Sequence, residues 1–339
     1  TSGAAAIPPR VGFTFRPHTA AGMGLEPLAA LAQLLKRIQP DVVRLPVYWS
    51  DAAAARGRLD FSSADTLLGV VSRHDAGHPA RRAHVVLVVG MRNVGYPELF
   101  APAWALAQAG SQADALARLP EYSDYFDGAV RHFAGNGLLE AWQVENEPLD
   151  SSLSADVGDN SIPQTVLTTE LQRLRQLDPR HRVLVTTYNS STLDLDEAEV
   201  RRADIGVQPP EGPVQPGGHP EESLQLGDVL GLDLYVVYWG VDLTAVPVKQ
   251  RIGWKRNTLP YWVSRARKRG EGLWIAEMQA GPWRGVSGFN PDDLVDSAAQ
   301  YSRQGVDTIL LWGVESWLTQ PAWMASGLVA VRLIRTGTP

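Results

Sequence analysis

No cysteine occurs in the 339 residues, which excludes a disulfide framework, thiolate zinc or iron–sulfur ligation, and a cysteine nucleophile. Long apolar stretches are missing as well. Runs such as 85–89 and 309–312 fall far short of the roughly 18–20 residues that span a bilayer. Basic blocks are absent: 31 Lys+Arg stand against 37 Asp+Glu, spread along the chain, so neither nucleic acid nor an anionic membrane is an expected partner. The motifs that hold phosphates or metals are also lacking. Gly22-Met23-Gly24 does not complete a dinucleotide fingerprint, and no Walker-type Gly-Lys-Ser/Thr or His-Glu-x-x-His occurs. His74 and His78 have helical ligand spacing, but Gly77 and Pro79 around them argue for a loop. Gly285-Val286-Ser287-Gly288 has the wrong spacing for a serine nucleophile elbow. No cofactor and no metal are expected.

What remains is 44% hydrophobic and 20% charged, enough to bury a large core. Strand-like and helix-like segments alternate throughout. Short β-branched or apolar runs lie at 11–15, 42–47, 84–90, 141–146, 183–187, 229–235, 273–277 and 308–312. Helical periodicity marks 25–38, 122–133, 164–177 and 254–268, and Asn290-Pro291-Asp292-Asp293 reads as a helix start. Such alternation implies parallel strands joined by crossover helices. Eight apolar strands suit a closed (β/α)8 TIM barrel better than an open doubly wound sheet, whose phosphate turn is missing. The expected organisation is a trimmed leader or flexible terminus over 1–10 and a single-domain barrel over 11–335, with 94–119 and 208–226 as long loops. A chain starting at Thr1 favours a secreted, periplasmic or cell-envelope setting.

In a parallel barrel the functional groups gather at the carboxyl ends of strands. Those ends carry Arg16, Arg44, Arg92 with Asn93, Asn146-Glu147, Tyr188 with Asn189, Tyr235, Glu277 and Trp312. Glu147 and Glu277 each close an apolar strand, where an unused charge is costly. On strands four and seven they should face one another across the mouth. Two opposed carboxylates can cleave a glycosidic bond, one protonating the departing oxygen while the other attacks the anomeric carbon. The bland alternative is a pair of barrel-end salt bridges.

Several segments together resemble clan A glycoside hydrolases, the retaining (β/α)8-barrel glycosidases that include family 5 cellulases and mannanases. Val43-Arg44-Leu45-Pro46-Val47-Tyr48-Trp49 is similar to the strand-two segment of that family, and Asn146-Glu147-Pro148 to its strand-four signature. Leu232-Asp233-Leu234-Tyr235 resembles its strand-six segment, while Glu277 and Trp312 fall where strands seven and eight carry the nucleophile and a tryptophan. The resemblance implies Glu147 as acid/base, Glu277 as nucleophile, Arg44 and Tyr235 beside that nucleophile, Asn146 on a sugar 2-hydroxyl and Trp312 flooring the central subsite. Met91-Arg92-Asn93 stands where the family offers a histidine after strand three, and a histidine near strand six is missing.

The 11 tryptophans are a generous supply. Trp49, Trp239, Trp283, Trp312 and Trp317 follow or end expected strands, where an indole face can stack on a sugar ring. Asn93, Gln279 and Trp283 are expected to shape the pocket. Glu315 is expected either to bind a sugar hydroxyl or to pair with an arginine. Glu145, two residues before Glu147, is expected inside the barrel as a buried partner of Arg44 or another base. The expected partner is a carbohydrate bound by a monomer. Besides hydrolysis, a non-hydrolytic carbohydrate-binding barrel and a transglycosylase remain open.

Overall fold

Each strand pairs in parallel with the next, and the last pairs with the first. The order β1 to β8 closes a barrel, as a single-domain (β/α)8 fold requires. The strands are β1 (Arg10–Thr14), β2 (Val42–Pro46), β3 (His84–Val89), β4 (Leu139–Val144), β5 (Arg182–Tyr188), β6 (Val229–Leu234), β7 (Gly272–Gln279) and β8 (Thr308–Trp312). The computed structural model describes residues 7–150, 161–188, 219–237, 247–282 and 288–337. Among these, no helix is long and apolar enough to cross a membrane.

The main crossover helices are Pro27–Ile38, Ser62–Gly77, Pro120–Phe133, Gln164–Leu177, Pro220–Leu226, Val248–Lys268 and Pro291–Tyr301, and Pro321–Thr336 follows β8. Helix Pro27–Ile38 shows why such segments form. Ala30, Leu31, Leu34, Leu35 and Ile38 make one buried stripe, the apolar face of a 3.6-residue period. Glu26 caps its start by accepting from the amides of Leu28 (3.1 Å) and Ala29 (2.6 Å). Gln39, left-handed at φ 49°, ends it. Asp293 likewise accepts from the Asn290 amide at 2.8 Å, with Pro291 at the first helical position.

Alternation along the strands divides two cores. Outward residues such as Val43, Leu45, Ile275 and Leu311 join the helices in the large outer core. Inward residues form a small plug of Val42, Val86, Ala141, Leu184, Val229, Trp274, Ala276 and Leu310. Above this plug, toward the carboxyl ends, the interior turns polar: Thr14, Arg44, Gln143, Thr186 and Asp233 are all buried there.

Some local expectations change. His74 lies within helix Ser62–Gly77 and His78 follows its end, with the two rings stacked at 4.3 Å. Gly77 and Pro79 terminate the helix there instead of preventing it. Helices Ala103–Ala109 and Ala113–Ala117 break up the expected loop at 94–119. Within 208–226, the last part is helix Pro220–Leu226, and 208–218 lies outside the described residues.

Candidate active site

Strict alternation would place Glu145 inside the barrel and Glu277 outside it, because Gln143 points in and Ile275 points out. The structure reverses both. On β7, Asp233 pairs with Glu277 and Leu232 with Ile275, so Ala276 is an extra residue. This bulge keeps Ala276 in the inner plug and also turns Glu277 inward. After β4, Glu145 and Glu147 both adopt left-handed backbone at φ 60° and 46°. That conformation costs a residue with a Cβ about 1–3 kcal/mol. Three hydrogen bonds hold it: the Glu145 amide to Val89 O (2.7 Å), Asn146 to Arg92 O (3.1 Å) and Glu147 to Thr186 Oγ1 (2.9 Å). Glu145 consequently points outward, accepting from the Met91 and Arg92 amides at 3.0 and 2.6 Å and from Tyr122 Oη at 2.9 Å. It is buried as expected, but its partners are amides and a phenol. Arg44 is not among them.

Arg44 is completely buried and binds Glu277. Its Nη2 donates to Glu277 Oε1 at 2.7 Å, Nη1 to Gln143 Oε1 at 2.8 Å and Nε to Thr14 Oγ1 at 2.8 Å. Tyr235 Oη donates to the other oxygen, Glu277 Oε2. Each oxygen of this buried carboxylate therefore receives a donor, which favours its charged form. Burial, and next the Glu277 charge, raise the Tyr235 phenol well above its usual range, so it remains a donor. Gln143 Nε2 continues the chain of bonds to Asn146 Oδ1 at 3.1 Å and Glu145 O at 2.9 Å.

Glu147 lies opposite in a different environment. Burial first, and then the Glu277 charge, push its carboxyl well above the ordinary glutamate range. The two carboxyls thus sit in contrasting surroundings, Glu277 between two donors and Glu147 raised by burial beside a negative charge, the kind of contrast that acid–nucleophile pairs need. Glu147, Glu277 and Asp233 each place one oxygen within 4.8 Å of the others. Asp233 is a third carboxyl at the centre that the sequence reading passed over. Its position two residues before Tyr235 was the available signal, since period two puts both on one strand face.

The remaining candidates divide. Trp312 is half-buried at the end of β8, with the Arg16 guanidinium 4.4 Å and that of Arg44 5.8 Å from its ring centre. Asn146, 4% exposed, adjoins Glu147. Glu315 pairs with Arg16 at 2.9 Å and is sealed from solvent, which decides between its two expected roles. Gln279 accepts from the Val236 and Val237 amides at 3.0 and 3.2 Å and donates to Val237 O at 2.8 Å, so it shapes the backbone after β6. Two expectations are corrected. Trp49 packs against Trp104, Tyr122 and Tyr125 with no exposure, leaving no indole face for a ligand. Asn93 is equally buried and spends its amide group on Val88 O and the Val94 amide. Trp317 is also core, donating to Ala280 O at 2.7 Å. Trp239, Trp283 and Asn189 lie outside the described residues.

No protein-family model and no curated protein matches the sequence. Solved structures do match the fold. A GH5_18 protein from Streptomyces cattleya in complex with GlcNAc superposes with a TM-score of 0.67 at 16% identity, covering 98% of this chain and 82% of that one. The fold is shared with glycoside hydrolases. Xylanase 10B from Thermotoga maritima gives a TM-score of 0.56 at 15% identity over 96% of this chain and 95% of its own. A β-galactosidase from Halorubrum lacusprofundi gives 0.59 at 14% identity, over 96% of this chain and 58% of its own.

Proposed function

We propose that the chain is a retaining glycoside hydrolase acting on β-glycosidic bonds of an oligo- or polysaccharide. The observation that carries this reading is the approach of Glu147 and Glu277, one oxygen of each within 4.8 Å of the other. Retaining enzymes hold their carboxyls about 5–5.5 Å apart and inverting enzymes about 6.5–9.5 Å to admit a water, and so close an approach of the nearest oxygens favours the retaining class. In the first step a Glu277 oxygen bonds to the anomeric carbon while Glu147 transfers its proton to the departing glycosidic oxygen. Glu277 is then an ester and no longer charged, which removes the repulsion that kept Glu147 protonated. In the second step Glu147 accepts a proton from water, the water oxygen bonds to the anomeric carbon, and the ester bond to Glu277 breaks.

Arg44 and Tyr235 hold the nucleophile charged and oriented through the bonds to its two oxygens. Asn146 is assigned to the sugar 2-hydroxyl, and half-buried Trp312 to the floor beneath the ring. A binding-only barrel would have no need of two opposed carboxylates in contrasting environments. Transglycosylation would use the same ester with a sugar as acceptor. One structural neighbour is a GH5_18 variant in complex with Manβ1-4GlcNAc, so that disaccharide belongs in a screen with aryl β-glycosides, β-glucans, mannans and xylans. The decisive experiment is Glu277→Ala: turnover should vanish and return with azide as a glycosyl azide of inverted configuration. Undiminished turnover in this variant would remove the assignment.

A further inference from the structure

Asp233 sits on β6 in register with Glu277, on the inward face that also carries Tyr235. It has no exposure, and among the described residues no N–H or hydroxyl donates to either of its oxygens, which leaves the Glu147 carboxyl as the group within hydrogen-bonding reach. Its surroundings are nonetheless polar. Glu277 comes from β7, Glu147 from the turn after β4, and Arg44 from β2, with Asp150 and Glu98 acting on Glu147 from farther out. With Asp233 itself the centre thus holds three carboxyls and one guanidinium, with the Tyr235 phenol beside them. That guanidinium is already committed to Glu277, Gln143 and Thr14. A fully buried carboxylate without donors is among the costliest groups a fold can hold. Two carboxyls that close relieve the cost by keeping a proton between them.

We propose that Asp233 is a positioning residue for Glu147, its carboxyl sharing one proton with that of Glu147 while Glu277 stays ionised. The inference rests on the glycosidase reading for its catalytic meaning, but the proton pair itself does not depend on it. At rest the site then holds Glu277 as one negative charge, the Glu147–Asp233 pair as a second, and Arg44 as the positive charge. When Glu147 gives its proton to the leaving oxygen, the pair becomes doubly negative and esterified Glu277 becomes neutral, so the net charge of the site is conserved. Arg44, released from a charged partner, then faces the pair. Strong repulsion within the doubly charged pair makes Glu147 an avid proton acceptor, which is what deprotonation of the incoming water requires. Burial and the neighbouring carboxyls raise Glu147 and Asp233 together, in keeping with a shared proton.

The test is a titration followed by carboxyl 13C NMR on full-length protein labelled at Asp and Glu, comparing wild type with Asp233→Asn and Glu147→Gln. In wild type the proton of the Glu147–Asp233 pair, identified by the carboxyl resonance that Glu147→Gln removes, should leave well above the ordinary carboxylate range. In Asp233→Asn, where Glu147 has lost its like-charged neighbour, it should leave about one pH unit or more lower. Glu147→Gln should lower the loss from Asp233 in the same way. Should the asparagine variant not fold, Asp233→Ser serves the same comparison. Superimposable titrations of wild type and the Asp233 variants would overturn the proposal. Displacement of the proton by millimolar Mg2+ or Ca2+ alone would also overturn it, making the three carboxyls a cation site. On any β-glycoside that is turned over, Asp233→Asn should move the alkaline limb of kcat/KM to lower pH by the same interval and leave the acid limb in place. A purely structural role would lower kcat/KM at every pH without moving the limb. Absence of turnover would count against the glycosidase reading and leave the NMR comparison intact.

Discussion

Arg44 is the residue on which the charge state of the centre turns. Losing it would leave Glu277 buried with only Tyr235 as donor, and an uncompensated buried charge costs about 3–5 kcal/mol. Arg44→Met is therefore expected to lower unfolding free energy by about that amount in urea titrations and to reduce turnover. A variant as stable as wild type would mean that Glu277 is neutral in the folded protein. A second buried pair lies outside the barrel, where the Tyr122 hydroxyl sits within hydrogen-bonding distance of both Glu145 and Glu170. Burial, then the Glu145 charge, raises Glu170 well above its usual range. The folded state thus binds a proton more tightly there than the unfolded chain does. The associated stability is complete below the unfolded carboxyl pKa and is lost as pH rises through the folded one. Glu170→Gln, which cannot ionise, should lose less stability than wild type between acid and mildly alkaline pH. Denaturation midpoints across that range check it, and parallel curves would refute it.

At the scale of elements, the site depends on two departures from strand alternation. The extra residue Ala276 in β7 turns Glu277 inward, and the left-handed Glu145 and Glu147 after β4 exchange which glutamate faces the barrel interior. The joint between β3 and β4 depends on Gly90. It sits at φ +127°, and a Cβ there would come within 2.4 Å of the Glu145 carboxyl carbon. Gly90→Ala is expected to destabilise through both strain and collision, by about 2 kcal/mol or more. It should also impair turnover, since the Glu145 turn sets the position of Glu147; thermal unfolding and kcat read the two effects separately. Deleting Ala276 should restore alternation, point Glu277 into the helix layer and abolish activity. Here the sequence was least legible. Glu277 stands out in the sequence by its place at a strand end and its resemblance to a known segment, whereas period-two alternation alone faces it the wrong way. The same reasoning put Glu145 inside.

For the whole molecule, the centre holds three buried carboxyls against one buried guanidinium, an arrangement unfavourable to folding. Active sites commonly carry such strain. Glu147→Gln should accordingly raise stability by about 0.5–2 kcal/mol while removing general-acid catalysis. Differential scanning calorimetry would show a higher Tm, and a lower one would place Glu147 among the stabilising groups. Most of the barrel was legible beforehand. Eight apolar strands and intervening helices announced themselves through periodicity, proline and cap residues, which act over a few positions. Harder to read were side chains whose surroundings come from distant strands: Trp49 and Asn93, expected at the mouth, are core groups, and Glu315 is sealed against Arg16.

The strand–helix alternation, the eightfold parallel barrel and the strand ends carrying Arg44, Glu147, Tyr235 and Glu277 could be read from the amino acids alone, because these follow from local propensity and spacing. Which acids face inward, and that Asp233 joins Glu147, Glu277 and Arg44 at the centre, became visible with the folded barrel. A one-residue bulge or a left-handed turn reverses a side chain without leaving any periodic signal, and a partner from another strand is known only once the barrel has closed.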